Sequence, residues 1–181
     1  RNGICSGANF KTIHQMTCDI IIPVWNRLQL TKECIDSIIR HTGRPYRLII
    51  IDNHSDKETA DYLSGLKKLT SLDLMLIRNE ENLGFVKAVN QGIKSSKGEY
   101  ICLLNNDTQV QDGWLEELIK VVENNPRIGI VNPGGEDGAY KDRQNSGRWV
   151  EIGFASGFCM LIKREVMDKI GLLDEAYGTG F

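Results

Sequence analysis

Short runs of aliphatic residues alternate along this chain with segments whose apolar residues recur every three or four positions. The first run, at positions 18–24, is continuous and ends just after a proline, which is typical of a strand buried on both faces. The segment Leu28–His41 then carries its apolar residues on one helical face, and Gly43 is expected to end that helix. The pattern therefore predicts a buried strand followed by an amphipathic helix.

The same alternation continues to the end of the chain. A capping box, Ser55-Asp56-Lys57-Glu58, marks the start of the second helix. Further strands are predicted at 46–52, 72–77, 99–104, 128–131 and 154–163, and further helices at 55–66, 85–93, 114–122 and 164–170. Four successive strand–helix units imply right-handed crossovers. The predicted fold is therefore α/β and Rossmann-like, with a mostly parallel sheet and helices on both faces.

Composition narrows the possible classes of protein. The 181 residues are enough for one domain with a hydrophobic core, and we expect a domain over 17–181 preceded by a leader or linker at 1–16. The formal net charge of -2 provides no basic surface for a nucleic acid, so no nucleic-acid partner is expected. No apolar run approaches the roughly 20 residues that span a bilayer. The five cysteines are scattered without a Cys-x-x-Cys pair, which favours reduced thiols in a cytoplasmic protein over a zinc site.

Polar residues follow three of the predicted strands, at the point where each strand ends. The clusters are Trp25-Asn26-Arg27, Asp52-Asn53-His54-Ser55 and Asn105-Asn106-Asp107. Carboxyl ends of parallel strands meet at one edge of a sheet, and ligands bind in the crevice outside that edge. The three clusters are therefore expected to face one site.

Asn105-Asn106-Asp107 is the sharpest of these features. A carboxylate at a strand end can bind Mg2+ or Mn2+ together with water and diphosphate oxygens, and the ion would neutralise charge on a departing nucleotide. Asn and Asp also favour turns because their side chains hydrogen-bond the nearby backbone. From the residues alone, a metal-binding turn and a simple turn remain equally open.

Two other features suggest contacts with a nucleotide. Asp52 could accept a hydrogen bond from the imide N–H of uracil or thymine, although taken alone a capping role is favoured. In the segment from Asn82 to Gly92, Gly84 stands where a helix begins, and Lys87 and Asn90 share one helical face. The alternative for that face is a plain solvated surface, which the residues alone favour.

Four motifs in this order resemble those of the family 2 glycosyltransferases, and most closely their rhamnosyltransferase-like branch. The motifs occupy positions 18–27, 49–56, 82–93 and 103–108, and the likeness runs from about Thr17 to the end of the chain. The resemblance implies the single-domain GT-A fold. It also implies a nucleotide-sugar donor, a glycan or lipid-linked acceptor, and a divalent cation, Mg2+ or Mn2+, as cofactor.

The resemblance assigns roles to individual positions. The positions matched to nucleotide-sugar binding are Pro23, Val24, Trp25 and Asn26 at the base, Asp52, Asn53 and Ser55 in the base-reading turn, Asn82, Gly84, Lys87 and Asn90 near the ribose and diphosphate, and Asn105 and Asn106 near the ribose or sugar. Asp107 is the expected metal ligand, because Asn105 replaces the first acid of the family's Asp-x-Asp motif. Ser156 and Gly157 match the acceptor side, and the catalytic base is expected beyond Phe181, so that the domain would be incomplete at its C terminus.

The expected activity is metal-dependent, inverting transfer of a sugar from a UDP- or dTDP-linked donor to an acceptor hydroxyl, in polysaccharide or glycoconjugate synthesis. The expected location is cytoplasmic, and peripheral contact with the inner face of the membrane stays open. One alternative is a non-catalytic module that binds nucleotide sugars. A sugar nucleotidyltransferase is disfavoured, because residues 24–27 contain no glycine where such enzymes carry a glycine- and arginine-rich loop.

Overall fold

A computed structural model describes residues 17–69, 71–133, 153 and 155–177. The strands are β1 (Cys18–Val24), β2 (Tyr46–Asp52), β3 (Leu74–Arg78), β4 (Tyr100–Leu104), β5 (Ile130–Val131) and β6 (Cys159–Lys163). The helices are α1 (Leu28–His41), α2 (Lys57–Leu66), α3 (Phe85–Ser95), α4 (Trp114–Asn124) and α5 (Arg164–Ile170), and a short 3-10 helix spans Glu175–Tyr177. No helix among these residues is both long and apolar enough to cross a bilayer.

All six strands belong to one sheet, in the order β3-β2-β1-β4-β6-β5. The first four strands along the chain pair in parallel, whereas β6 runs antiparallel to β4 and β5 antiparallel to β6. The prediction of an α/β fold with a mostly parallel sheet is therefore confirmed. Val24, Asp52 and Arg78 are level with one another in the register, and they define what we call the carboxyl edge of the sheet.

Both faces of the central strands are buried, which explains their continuous apolar sequence. Successive residues of β1 point to opposite faces, so Ile20 and Ile22 enter the core beneath α1 and α4, while Ile21 enters the core beneath α3. All three isoleucines are 0% exposed. Alternation of apolar and polar residues along the strands would have predicted a sheet with one solvent-exposed face. The strands lack this alternation, which correctly indicates helices on both sides of the sheet.

Several predicted boundaries need correction. Asp56, rather than Ser55, is the N-cap of α2, because the Asp56 carboxylate accepts the Thr59 N–H at 2.9 Å. The Ser55 hydroxyl instead accepts from the backbone N–H of Asn26. Helix α1 ends at His41 with Thr42 extended, and Gly43 does not adopt the left-handed conformation of a helix-terminating glycine.

The predicted strands at the sheet margins also differ in length. The third strand begins at Leu74 instead of 72, and the fifth is limited to Ile130–Val131. The strand predicted at 154–163 covers only Cys159–Lys163, because its pairing with β4 ends where Cys159 meets Leu104. Residues 1–16, residues 134–152 and Phe154 lie outside the described residues.

Candidate functional site

The turn after β1 is held in an uncommon backbone conformation at the carboxyl edge. Asn26 and Arg27 have φ angles of 58° and 60°, a left-handed conformation that asparagine tolerates better than most residues. The Asn26 N–H donates to Ser55 Oγ at 2.9 Å, and its side-chain oxygen accepts the Asp56 N–H at 2.7 Å. These bonds tie the turns after β1 and β2 together. Trp25 is 58% exposed and forms part of the open surface there.

Asp52 ends β2 as a buried carboxylate with protein partners. Its Oδ1 accepts the Ser55 N–H at 2.9 Å, and its Oδ2 is paired with the guanidinium of Arg78 at the end of β3. Arg78 also donates to the Ser55 carbonyl at 3.0 Å. The Asp52 side chain is 2% exposed and the Arg78 side chain 43%, so the guanidinium is the group presented to solvent.

Arg78 lies at the candidate site, and sequence reasoning missed it. It follows an aliphatic run and precedes Asn79, so it looks like an ordinary strand-ending charge. The parallel register of β2 and β3, which sets Arg78 beside Asp52, is the signal that identifies it. That register is not readable from the order of the residues.

Asn53 connects β2 to the loop that leads into α3. Its side-chain oxygen accepts from Leu83 N–H and Asn79 Nδ2, both at 3.0 Å. Its Nδ2 donates to Asn82 Oδ1 at 2.6 Å and to the Gly84 carbonyl at 3.3 Å. All four hydrogen-bonding positions of this buried amide are therefore used. Asn53 shapes the loop of residues 79–84.

The start of α3 is shaped by the same loop. Gly84 is the N-cap with φ 80°, a conformation that glycine adopts without strain, and its N–H donates to Asn82 Oδ1 at 2.9 Å. Lys87, one turn into the helix, is exposed and makes no ion pair with any residue that the structure describes. Asn90 is 1% exposed instead, and its amide bonds to Leu173 and Glu175. The two residues therefore differ in exposure: Lys87 is open to a ligand, whereas the Asn90 side chain is buried.

The turn after β4 positions its three polar residues differently from one another. The Asn105 N–H donates to the Phe158 carbonyl at 2.9 Å, and Asn106 Nδ2 donates to Thr31 Oγ1 at 2.9 Å. Asp107 is exposed, and its carboxylate accepts no hydrogen bond from the described part of the chain. The Asn105 backbone and the Asn106 side chain hold the turn, and the Asp107 carboxylate is open to a ligand.

A metal ion bound here would need ligands from outside the protein. Among the described residues, no group of three or more His, Cys, Asp or Glu side chains is arranged to hold an ion. A single carboxylate that shares Mg2+ or Mn2+ with substrate phosphates is an ordinary arrangement for these cations. The residues present fit an ion that binds together with a diphosphate.

The three predicted clusters and the start of α3 lie at the same edge. Strands β2, β1 and β4 are neighbours in the sheet, so the turns that follow them adjoin, and α3 begins beside them. Ser156 and Gly157 precede β6, and the Phe158 carbonyl that accepts from Asn105 joins them to the β4 turn. Pro23 and Val24 complete β1 at this edge.

A groove of about 540 Å3 opens at the opposite edge, where β4 begins. Positive and negative side chains line it together, including Lys97, Lys163, Arg164, Glu123, Glu165 and Asp168. Such a mixed lining favours neither an anionic nor a cationic ligand. None of the candidate residues reaches this groove, so we place the site at the carboxyl edge.

Comparison with known proteins identifies the class of protein to which this α/β fold, with its polar carboxyl edge, belongs. The family model described as glycosyl transferase family 2 matches residues 19–171. The chain belongs to this family. Its sheet, with helices on both faces, is that of GT-A glycosyltransferases.

Individual relatives are similar over most of this chain. An uncharacterized glycosyltransferase of Rickettsia bellii is 31% identical over 161 residues, which is 86% of this chain and 23% of that protein. A mannosyltransferase of Pyrobaculum calidifontis, solved with GDP-Man and Mn2+, superposes with a TM-score of 0.75 at 19% identity over 87% of this chain. TarS of S. aureus, solved with UDP-GlcNAc, gives 0.68 at 15% identity over 85%. The chain spans 47% of each of these two structures.

Proposed function

We propose that this chain binds the nucleotide-sugar donor of a glycosyltransferase and transfers the sugar, with inversion, to an acceptor hydroxyl. The observation that carries the proposal is the free, exposed carboxylate of Asp107 on the same sheet edge as Trp25 and Arg78. A diphosphate can bridge a metal ion at Asp107 to a base at the β1 and β2 turns, because those turns adjoin. Family membership supports this assignment.

The base end of the donor is assigned to the turns after β1 and β2. The exposed ring of Trp25 offers an apolar face to a base, next to the backbone of Pro23, Val24 and Asn26. Asp52 and Arg78 act as one unit, since each carboxylate oxygen has a second acceptor position and the guanidinium has further N–H donors. An acceptor and a donor side by side suit the imide N–H and carbonyls of a pyrimidine, which favours UDP or dTDP.

The diphosphate end is assigned to Asp107 and the start of α3. A divalent cation held by Asp107 would supply charge neutralisation as the nucleoside diphosphate leaves. Asn105 and Asn106 keep the turn in place, and Lys87 adds a second, flexible positive charge beside the N-terminus of α3. Asn53, Ser55, Asn82 and Gly84 contribute by shaping these turns.

The acceptor is assigned to the side formed by Ser156 and Gly157, next to the β4 turn. We propose a glycan or lipid-linked acceptor, a role in polysaccharide or glycoconjugate synthesis, and a cytoplasmic location with peripheral contact at the inner face of the membrane. Four buried free thiols favour a reducing compartment. We assign no general base to a described residue.

Calorimetric titration with UDP, dTDP and GDP, each with and without MnCl2, tests the donor assignment. UDP or dTDP is expected to bind in the presence of Mn2+ and to bind at least about tenfold more weakly without it, a difference of about 1.4 kcal/mol. Asp107→Asn should remove the effect of Mn2+, because the neutral amide loses the charge that attracts the ion.

Asp61→Asn is the matched control, since Asp61 is an exposed acid on α2 whose partner is Lys57. It should bind like the wild type. Absence of binding for every nucleotide and metal combination would contradict the proposed function. An Asp107→Asn variant that keeps the wild-type affinity for the nucleotide, together with the wild-type dependence on Mn2+, would contradict the role of Asp107.

A further inference from the structure

Asn90 has an unusual set of partners for a residue in the middle of a helix. Its Oδ1 accepts the Leu173 N–H at 3.0 Å, and its Nδ2 donates to the Leu173 carbonyl at 2.9 Å and to Glu175 Oε1 at 3.1 Å. One side-chain amide thus pairs with both backbone groups of Leu173, as a neighbouring strand would. The Asn90 side chain is buried, and both N–H groups are committed to these partners.

The chain that follows α5 depends on this one amide for its attachment to α3. We call residues 172–177 the post-α5 segment. In the described part of the chain, every hydrogen bond from this segment to another element goes to Asn90, while Ala176 N–H bonds within the segment to Asp174. The Leu173 side chain adds an apolar contact with the core beneath α3. A segment with so few attachments is expected to open locally at low cost.

The path of the chain brings this segment back toward the site. Strand β6 starts opposite Leu104 at the carboxyl edge and runs to Lys163, opposite Tyr100. Helix α5 begins there, and by Leu173 the chain is level with Asn90, halfway along α3. Lys87 precedes Asn90 by three residues, which is about 4.5 Å along the helix axis. The segment is therefore adjacent to the half of α3 that starts at the carboxyl edge.

We propose that Asn90 is a positioning residue that holds the post-α5 segment against α3, so that nucleotide binding at the start of α3 stabilises this segment. This inference rests on the proposed function for its ligand. It gives Asn90 a part in building the wall of the site beside α3 instead of a contact with the nucleotide. A nucleotide that fixes Lys87 and the first turn of α3 also restricts the motion of the helix that carries Asn90. By linkage, the amides of the post-α5 segment become better protected against hydrogen exchange.

Hydrogen–deuterium exchange of the whole chain tests the proposal, with UDP and MnCl2 as the probe. In the wild type, the amides of the post-α5 segment should exchange at least about threefold more slowly when UDP and Mn2+ are bound, because even a modest linkage of under 1 kcal/mol gives this factor. In Asn90→Ala they should exchange at least about tenfold faster than in the wild type and no longer respond to UDP, because the bonds to Leu173 are lost. Because linkage is reciprocal, the Kd for UDP with Mn2+ should rise by no more than the factor by which UDP slows exchange in the wild type.

Two further variants grade the effect. Asn90→Asp keeps an acceptor for the Leu173 N–H but loses the N–H donors and sets a negative charge against Glu175, so it should release the segment as Asn90→Ala does. Glu175→Ala removes one of the three bonds and should give an intermediate exchange rate, and it tests the proposal even if the Asn90 variants unfold. Lys94→Ala, exposed one turn further along α3, is the matched control and should leave exchange and affinity unchanged.

The outcomes separate the two proposals. Loss of UDP affinity by more than about tenfold in Asn90→Ala, with unchanged exchange in the segment, would overturn the positioning role and make Asn90 a nucleotide ligand. Equal exchange in the wild type, Asn90→Ala and Glu175→Ala would also overturn it. If no nucleoside diphosphate binds the wild type, the donor assignment fails, while faster basal exchange in the Asn90 variants still supports the anchoring of the segment.

Discussion

The side-chain amides of Asn53 and Asn90 each bond to more than one separate backbone group at the candidate site. An amide carries donors and acceptors together, so one residue can satisfy both an N–H and a C=O of a passing chain. A carboxylate in the same place would accept only, and would leave a buried carbonyl without a donor. Neutral amides therefore shape the loops of this edge, and the exposed charges of Lys87 and Asp107 stay available to a ligand.

Asp19 is a buried charged residue with several hydrogen-bond donors around it. It is 2% exposed at the amino end of β1 and accepts from Arg47 at 2.9 and 3.1 Å and from the Gly98 N–H at 2.8 Å. Burial alone would raise the pKa of this carboxyl, but the hydrogen bonds from Arg47, Gly98 and Lys97 outweigh burial and hold the pKa below its usual value.

A carboxyl whose pKa is lower in the folded state than in the unfolded state stabilises the protein above the unfolded pKa. This contribution is lost as the pH falls through about 4 toward the folded pKa. Asp19→Asn should lower the free energy of unfolding at pH 7 by about 2 kcal/mol, because Arg47 loses its buried partner. Urea unfolding at pH 7 and pH 3 measures this, and the difference between variant and wild type should shrink at pH 3. A constant difference at both values would contradict the assignment.

Helix α3 packs closely on β1, and a glycine permits this approach. A Cβ at position 92 would lie 2.4 Å from Cγ2 of Ile21. Gly65, by contrast, lies in α2 with open space around the position of its Cβ. Both glycines lie within helices and neither has a positive φ, so their contrast in packing makes them a useful pair for comparison.

Gly92→Ala should destabilise the protein by about 1–3 kcal/mol, since the methyl group forces α3 and β1 apart. Gly65→Ala should stabilise it by up to about 1 kcal/mol through helix propensity. Thermal or urea unfolding measures both. Ile21→Ala is destabilising by itself, but combined with Gly92→Ala the loss should be smaller than the sum, because the methyl group enters the vacated space. Strict additivity would mean that Ile21 is not the obstacle.

At the scale of the whole molecule, the core beneath α1 and α4 contains four thiols. Cys18, Cys34, Cys102 and Cys159 are free, buried and part of the same hydrophobic cluster. Burial raises the pKa of the Cys34 thiol to about 12, and the nearby charge of Asp107 adds to this. Thiolate is the reactive form, so the Cys34 thiol is protected both by its burial and by its raised pKa.

In a Cys5→Ser variant at pH 8, we expect the four core thiols to react with Ellman's reagent only as fast as the domain unfolds. Increasing urea should raise the reaction rate in parallel with the loss of circular dichroism, because the thiols are exposed by global opening. The fully unfolded variant supplies the reference for complete reaction. Rapid labelling of one thiol in native buffer would show a local opening of the core.

The apolar periodicity of the sequence predicts the central strands and helices well, and it predicts the strands at the sheet margins less well. The boundaries of β1, β2, α1 and α5 agree with prediction, because long apolar runs and one-sided stripes leave little choice of structure. Strand β6 is shorter than predicted and antiparallel, because its extent depends on pairing with β4. The capping residue of α2 moved to Asp56, because Ser55 bonds to a turn 29 residues earlier.

The sequence by itself determined the α/β class, the family, and the set of turns that meet at one edge, because these follow from local periodicity and from motifs contiguous along the chain. Tertiary structure alone decided which polar atoms remain free there. Asp52 is paired with Arg78, Asn90 is committed to Leu173, and Asp107 keeps an open carboxylate. The reason is physical: hydrogen-bond partners of a buried group come from wherever the register and the chain path place them, and neither is encoded in neighbouring residues.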